Sequence, residues 1–142
     1  MKTDTSFIKN PFFISWILAL LFYALEYAVR SSPSVMIGQL QSAYGVGSTE
    51  VSSLASAYYI SYSITSLAAG LLLDRMGARK PVFFGILVLA VGCLFFGGSH
   101  YIVGYAGRLM QGMGSAMAFP AAVYIAVKAF SGKNLATAIG IT

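Results

Sequence analysis

The chain has 142 residues, of which 58% are hydrophobic and 9% are charged, and its formal net charge is +5. Soluble domains carry about 25% charged residues, so this composition excludes an ordinary soluble fold and indicates an all-α integral membrane protein. The chain has one cysteine and one histidine, which excludes a disulfide framework and predicts neither a metal site nor a cofactor.

Apolar segments long enough to cross a bilayer follow one another along the chain. A membrane-spanning helix needs about 20 apolar residues. We predict four complete helices and the start of a fifth, over about 12–41, 50–73, 81–98, 101–130 and 134–142. Pro33 and Pro120 are expected to bend the first and fourth helices, because proline removes a backbone donor and clashes with the preceding turn.

Basic residues outside these segments indicate the orientation. Because an even number of crossings separates them, they fall on one side of the membrane: Lys2, Lys9, Arg75, Arg79, Lys80, Lys128 and Lys133. The opposite loops contain Glu50 and His100 but neither Lys nor Arg. The positive-inside rule then predicts a multi-pass protein of the cell membrane with a cytoplasmic N-terminus. Topology accounts for the basic residues, so nucleic acid is not an expected partner, whereas the lipid bilayer is.

Polar side chains recur at helical spacing in three of the predicted helices. The stripes consist of Tyr23, Glu26, Tyr27, Arg30 and Ser34 in the first helix, of Ser52, Ser56, Tyr59, Ser63, Ser66 and Gly70 in the second, and of Gly104, Arg108, Gly112, Ser115 and Phe119 in the fourth. Charged groups inside the hydrocarbon are costly and persist where they face a partner or a water-filled cavity. We therefore expect a polar interior shared by the three helices.

Structural alternatives remain open for each stripe. If the first helix ends at Val29, Arg30 snorkels at the outer surface. Glu26 and Arg30 are four residues apart and can simply neutralise each other. The small residues of the second helix can serve as a close-packing surface. Arg108 lies about 10 Å into its helix beyond Tyr101, which favours a buried role.

The loop GLLLDRMGARK (70–80) resembles the signature Gly-x-x-x-Asp-(Arg/Lys)-x-Gly-x-(Arg/Lys)-(Arg/Lys) of the major facilitator superfamily. The matching positions are Gly70, Asp74, Arg75, Gly77, Arg79 and Lys80. In that family the loop is understood as a gate between two halves of the transporter. Gly70 is expected to allow close helix packing and Gly77 a tight turn, while the basic residues fix sidedness or pair with Asp74. A purely topogenic basic loop is the alternative.

A second segment, RLMQGMG (108–114), resembles the Arg-x-x-Gln-Gly-x-Gly motif in the fourth helix of the same family. Its matching residues are Arg108, Gln111, Gly112 and Gly114. A weaker likeness joins RSSPSVM (30–36) to the first helix of the organic-anion branches, in which an arginine helps to bind the acidic group of the substrate. Full members have twelve membrane helices, so this chain is expected to be an incomplete N-terminal half that needs the remaining helices.

The resemblance implies secondary active transport by alternating access, with a small anionic or zwitterionic solute and a coupling proton, as in a symporter. Arg30, Tyr27, Tyr59 and Ser115 are the predicted substrate-binding residues. Glu26, with Arg108, is the predicted proton-coupling group, because a carboxyl in a low-dielectric cavity can bind and release a proton near neutral pH.

Other functions remain as alternatives. Aromatic residues in the first helix are compatible with a proton antiporter that exports drugs or hydrophobic compounds. A small membrane scaffold subunit without transport activity is a further class. An enzyme is not expected, because the spacing supports neither a metal-ligand cluster nor a nucleophile–base pair.

Overall fold

The computed structural model describes residues 11–142, and these residues form helices joined by short turns. The helices are α1 (Pro11–Val35), α2 (Ile37–Tyr44), α3 (Ser48–Met76), α4 (Arg79–Phe96), α5 (Tyr101–Ser115), α6 (Ala118–Ala129) and α7 (Gly132–Ile141). Within this described part the prediction of an all-α fold is confirmed. Lys2 and Lys9, which contribute to the predicted orientation, lie outside it.

Between residues 11 and 142, three helical segments are long and apolar enough to cross a membrane: Phe13–Val35, Arg79–Phe96 and Tyr101–Ala129. The predicted crossing at 50–73 lies in α3, which spans 29 residues but is not among them. Serine and tyrosine side chains make α3 less apolar than its neighbours. The helix count therefore differs from the prediction of four complete crossings.

Two of the predicted helices are each divided near a proline. The first is interrupted at Met36, after Pro33, and continues as α2. The fourth is interrupted at Ala116 and Met117, before Pro120. In each case the proline lacks the amide hydrogen that would continue the helical hydrogen bonds. The bend in the fourth segment divides α5, which carries Arg108, from α6.

Glycines bring the backbones of α4 and α5 into direct contact. A Cβ atom added to Gly107 would lie 2.7 Å from the carbonyl oxygen of Gly92, and one added to Gly114 would lie 2.5 Å from that of Gly85. Real Cβ atoms do not approach other atoms so closely, so only glycine permits this contact. Small residues at helix interfaces are the usual basis of tight packing in membranes. This contact fixes the position of α5 and of the polar side chains that it carries.

The orientation of α3 differs from the prediction. Its buried face consists of Val51, Leu54, Ala57, Tyr58, Ser61, Ala69 and Leu73. The predicted polar stripe instead lies largely on the exposed side, so it does not contribute to the polar interior that the described helices form. Its serines bond to backbone carbonyls of their own helix, as Ser52 does to Ser48 and Ser56 to Ser52. Hydroxyls satisfied in this way need no partner on another helix.

Candidate functional site

A buried ion pair between α1 residues forms the centre of the polar interior. The side chain of Glu26 is 0% exposed, and its Oε1 accepts hydrogen bonds from Nε of Arg30 at 2.9 Å and from Nη2 at 2.5 Å. The hydroxyl of Tyr58 in α3 donates to the same oxygen. The other carboxyl oxygen, Oε2, is buried without a hydrogen-bond partner among the described residues. One oxygen thus accepts all the hydrogen bonds that the described residues donate to this carboxylate.

Tyrosine rings surround the Arg30 guanidinium. Its central carbon lies 4.7 Å from the ring centroid of Tyr62, 5.7 Å from that of Tyr58 and 5.8 Å from that of Tyr27. Its side chain is 19% exposed, so the described helices do not enclose it fully. The alternative in which α1 ends at Val29 is wrong, because the helix continues to Val35. The alternative in which Glu26 and Arg30 neutralise each other matches the observed ion pair.

Arg108 of α5 is 0% exposed and, like Arg30, lies beside the Tyr58 ring. Its guanidinium donates to the carbonyl oxygens of Val29, Arg30 and Leu54 and to the side-chain oxygen of Gln111. Its central carbon lies 4.7 Å from the Tyr58 ring centroid. Among the described residues, the partners of this buried cation are therefore neutral oxygen atoms and the face of an aromatic ring. Hydrogen bonds to oxygen atoms and a ring contact both stabilise a desolvated guanidinium.

Tyr58 joins the two arginines to the carboxylate, and the sequence analysis did not identify it. Its side chain is 0% exposed, whereas the predicted Tyr59 is 51% exposed. The spacing of Leu54, Tyr58 and Ser61 is the pattern that could have identified the buried face of α3. The serine stripe on the other side obscured it.

We call the set of Glu26, Arg30, Tyr58, Arg108 and Gln111 the Glu26 network. Two further predicted residues, Tyr27 and Ser115, lie beside it. Tyr27 is 57% exposed but contacts Arg30 through its ring. Ser115 is buried beside the Tyr58 phenol, and its Oγ makes no hydrogen bond of good geometry with a described group.

The glycines of the α5 motif have packing roles. A Cβ atom added to Gly112 would overlap the Ser61 hydroxyl and the Tyr58 carbonyl oxygen. One added to Gly114 would lie 2.6 Å from the amide nitrogen of Leu89. The two residues therefore let α5 approach α3 and α4, and this approach places Arg108 in the Glu26 network.

The loop between α3 and α4 lies apart from this network. Gly77 has φ +70° and its amide donates to the Leu73 carbonyl at 2.9 Å, which closes α3. Asp74, Arg75, Arg79 and Lys80 are exposed. Among the described side chains, no ion pair joins Asp74 to these cations. A Cβ atom added to Gly70 would meet no described atom within 4 Å, so its predicted close packing is not formed within these helices.

We expect Tyr58→Phe to weaken the Glu26 network without disturbing the aromatic contacts. Phenylalanine keeps the ring beside both arginines and removes the donor to the carboxylate. Because hydrogen bonds to charged groups contribute about 1.5–3 kcal/mol, the free energy of unfolding in detergent should fall by about 2 kcal/mol. Tyr59→Phe is the matched control, since that hydroxyl lies on the exposed side of α3. Equal effects of the two substitutions would contradict the assignment of Tyr58.

Comparison with known proteins shows related transporters. Residues 13–142 match the Major Facilitator Superfamily. Multidrug resistance protein 2 of Bacillus subtilis is 38% identical over 69 residues, which are 48% of this chain and 17% of that protein. The D-galactonate transporter of Escherichia coli O6:H1 is 25% identical over 129 residues, 90% of this chain and 30% of that protein. The probable L-galactonate transporter of Escherichia coli K12 is 31% identical over 111 residues, 76% of this chain and 24% of that protein.

No solved structure matches the chain. The chain spans at most 30% of the length of the three relatives named above. The family match extends over nearly all of the described residues and includes both motifs and the Glu26 network. The apolar helices and the family agree on a membrane protein. The chain belongs to the Major Facilitator Superfamily.

Proposed function

We propose that this chain supplies the N-terminal helices of a proton-coupled symporter for a small anionic or zwitterionic solute. The observation that carries the proposal is the Glu26–Arg30 pair, in which a fully buried carboxylate holds a partly exposed guanidinium. A guanidinium binds carboxylates through two parallel hydrogen bonds, so Arg30 is suited to the acidic group of a solute. In the absence of solute, Glu26 occupies the same donors.

Proton binding and solute binding are coupled through competition for Arg30. When a proton binds Oε2, Glu26 becomes neutral and its attraction for the guanidinium weakens. The carboxylate of the solute then replaces it on Arg30, with Tyr27 and Ser115 close by. Loss of the proton restores the internal ion pair and expels the anion.

The names of two relatives agree with an anionic solute. D-galactonate and L-galactonate are sugar acids, each with one carboxylate and several hydroxyls. Arg30 would bind the carboxylate, and the side chains of the tyrosines beside it suit the hydroxyls. We therefore propose sugar acids as the first class of solute to test.

The loop at 70–80 is proposed as the cytoplasmic gate of this transporter. Its exposed Asp74 and the cations Arg75, Arg79 and Lys80 are free to contact the remaining helices of the protein or lipid phosphates. The exposed polar stripe of α3 ends at Gly70, the first residue of this loop. In this proposal α1 and α3 both cross the membrane, so a cytoplasmic loop places the N-terminus in the cytoplasm as well, in a multi-pass protein of the cell membrane.

Export of drugs is the second candidate, and one relative favours it. Multidrug resistance protein 2 has the highest identity of the three relatives compared, 38%, although over a shorter segment. Tyrosine rings beside a cation-accepting carboxylate would also suit a hydrophobic cation. In that case Glu26, rather than Arg30, would contact the transported compound.

Arg30→Ala separates the two candidates. The full native protein and its Arg30→Ala variant are each reconstituted into liposomes with a pH gradient, acidic outside. Uptake of D-galactonate is then measured. We expect the substitution to reduce uptake at least about tenfold, because a charge-assisted contact to the solute is lost. Lys128→Ala is the control, since this exposed cation lies on α6 away from the Glu26 network.

The same vesicles are tested with ethidium, a hydrophobic cation. The anion proposal predicts no proton-dependent movement of ethidium by the unmodified protein. Unchanged D-galactonate uptake by Arg30→Ala, or ethidium movement that depends on Glu26, would contradict it.

A further inference from the structure

Pro33 leaves a carbonyl of α1 without its helical donor. In an α-helix the amide of residue i donates to the carbonyl of residue i−4, and proline has no amide hydrogen. The carbonyl affected by Pro33 is that of Val29, which lies next to Arg30 in α1. A buried carbonyl needs another donor, or it loses the free energy of a hydrogen bond.

Arg108 provides a donor to this carbonyl from α5. Its Nη1 lies 3.0 Å from the Val29 oxygen, and its Nη2 lies 3.4 Å from the oxygen of Arg30. Its Nε donates to the Leu54 carbonyl of α3 at 3.3 Å. The Ser32 hydroxyl donates to the second lone pair of the Val29 carbonyl at 2.9 Å. One guanidinium therefore connects the backbones of α1 and α3 to α5 at the turn released by the proline.

The Arg108 side chain is held in place for this contact. It is 0% exposed, and its Nη1 also donates to Oε1 of Gln111 at 2.7 Å. The Tyr58 ring covers one face of its guanidinium. Its contacts with α1 depend on the planar arrangement of several N–H groups. A lysine ammonium is a compact point charge and cannot reproduce this arrangement.

We infer that Arg108 is a positioning residue that takes the place of the amide missing at Pro33 and thereby fixes the turn of α1 that carries Arg30. The two residues then form a functional unit, since the proline releases a carbonyl and the arginine binds it. This inference does not depend on which solute, if any, the protein transports. It also gives the buried charge of Arg108 a role that requires no carboxylate partner.

The test removes the guanidinium and, separately, restores the missing amide. Arg108→Met is made in the otherwise unmodified full-length protein (the native background) and, separately, together with Pro33→Ala. Amide hydrogen exchange of each protein is then measured in detergent. We expect exchange over 31–37 to rise at least about tenfold in the native background, because the carbonyls of Val29 and Arg30 lose the donors that tie this turn to α5. In the Pro33→Ala background the new amide bonds to Val29, so the rise should be about threefold or less.

Arg108→Lys is the conservative variant, and α6 is the internal reference. Lysine keeps the charge, so it should fail to restore protection over 31–37 if the planar donor arrangement is required. Exchange in α6 should change little in any variant. An equal rise in both backgrounds would overturn the inference, and so would full protection with lysine. If Arg108→Met does not accumulate in either background, the restored amide has not replaced the arginine, which overturns the inference as well.

Discussion

Glu26→Gln should abolish proton-driven accumulation of solute while leaving exchange of solute across the membrane intact. Glutamine has the shape of the protonated acid but cannot release a proton. Arg30 therefore loses the partner that competes with the solute, and the coupling between the proton and the solute disappears. We expect accumulation of D-galactonate under a pH gradient to fall at least about tenfold, since the ion pair that returns on deprotonation no longer forms.

Counterflow provides the second measurement. Vesicles loaded with unlabelled D-galactonate should still take up the labelled compound when they contain Glu26→Gln, because exchange requires no net proton movement. Glu50→Gln is the matched control, since Glu50 is exposed in the first turn of α3. Accumulation by Glu26→Gln at the rate of the unmodified protein would reject Glu26 as the coupling group. Loss of counterflow together with accumulation would point to damage of the solute site instead.

Gly112→Ala should cause the largest loss of stability of any glycine-to-alanine substitution in α5. The added Cβ atom would overlap the Ser61 hydroxyl and the carbonyl oxygen of Tyr58, and the second of these belongs to the backbone of α3. A backbone atom cannot rotate away, so α5 must move. Overpacking of this kind costs about 1–3 kcal/mol, and we expect the upper part of that range.

Gly70→Ala is the matched control for this substitution. It replaces a glycine within α3 at a position where an added Cβ atom would meet no described atom within 4 Å. Alanine is the better helix former, so stability should change by less than about 1 kcal/mol, and in the favourable direction. Thermal unfolding in detergent compares the two variants directly. Equal melting temperatures would show that the α3–α5 contact is looser than the structure indicates.

Much of the fold follows from local properties that the sequence displays. Runs of apolar residues predict helices because the bilayer requires about 20 of them to span its core. Pro33 and Pro120 mark the vicinity of the two interruptions, because proline removes a backbone donor wherever it stands. The spacing of Glu26 and Arg30 places both on one face of one helix, so it allowed the ion pair that the structure shows.

The candidate site depended on contacts between helices, which spacing does not reveal. The polar stripe of α3 is as regular as the other two, yet its serines bond to their own helix and face outward. The buried face instead carries Tyr58, which contacts Glu26 across 32 positions of the chain. Only the spacing of Leu54, Tyr58 and Ser61 distinguishes Tyr58 from Tyr59 in the sequence, and the serine stripe on the other side of the helix obscures it. The difference arises because Gly112 lets α5 approach one side of α3 only.

The sequence by itself therefore determined the membrane class, the helical segments, the family and the residues Glu26, Arg30 and Arg108 as charges that need partners. These conclusions rest on hydrophobicity and on the cost of charge in lipid, which each residue carries wherever the chain places it. Only the tertiary structure decided which partners those charges have. Arg108 binds carbonyls of α1 and α3, 78 and 54 positions away along the chain, because close packing of the helices brings these groups together.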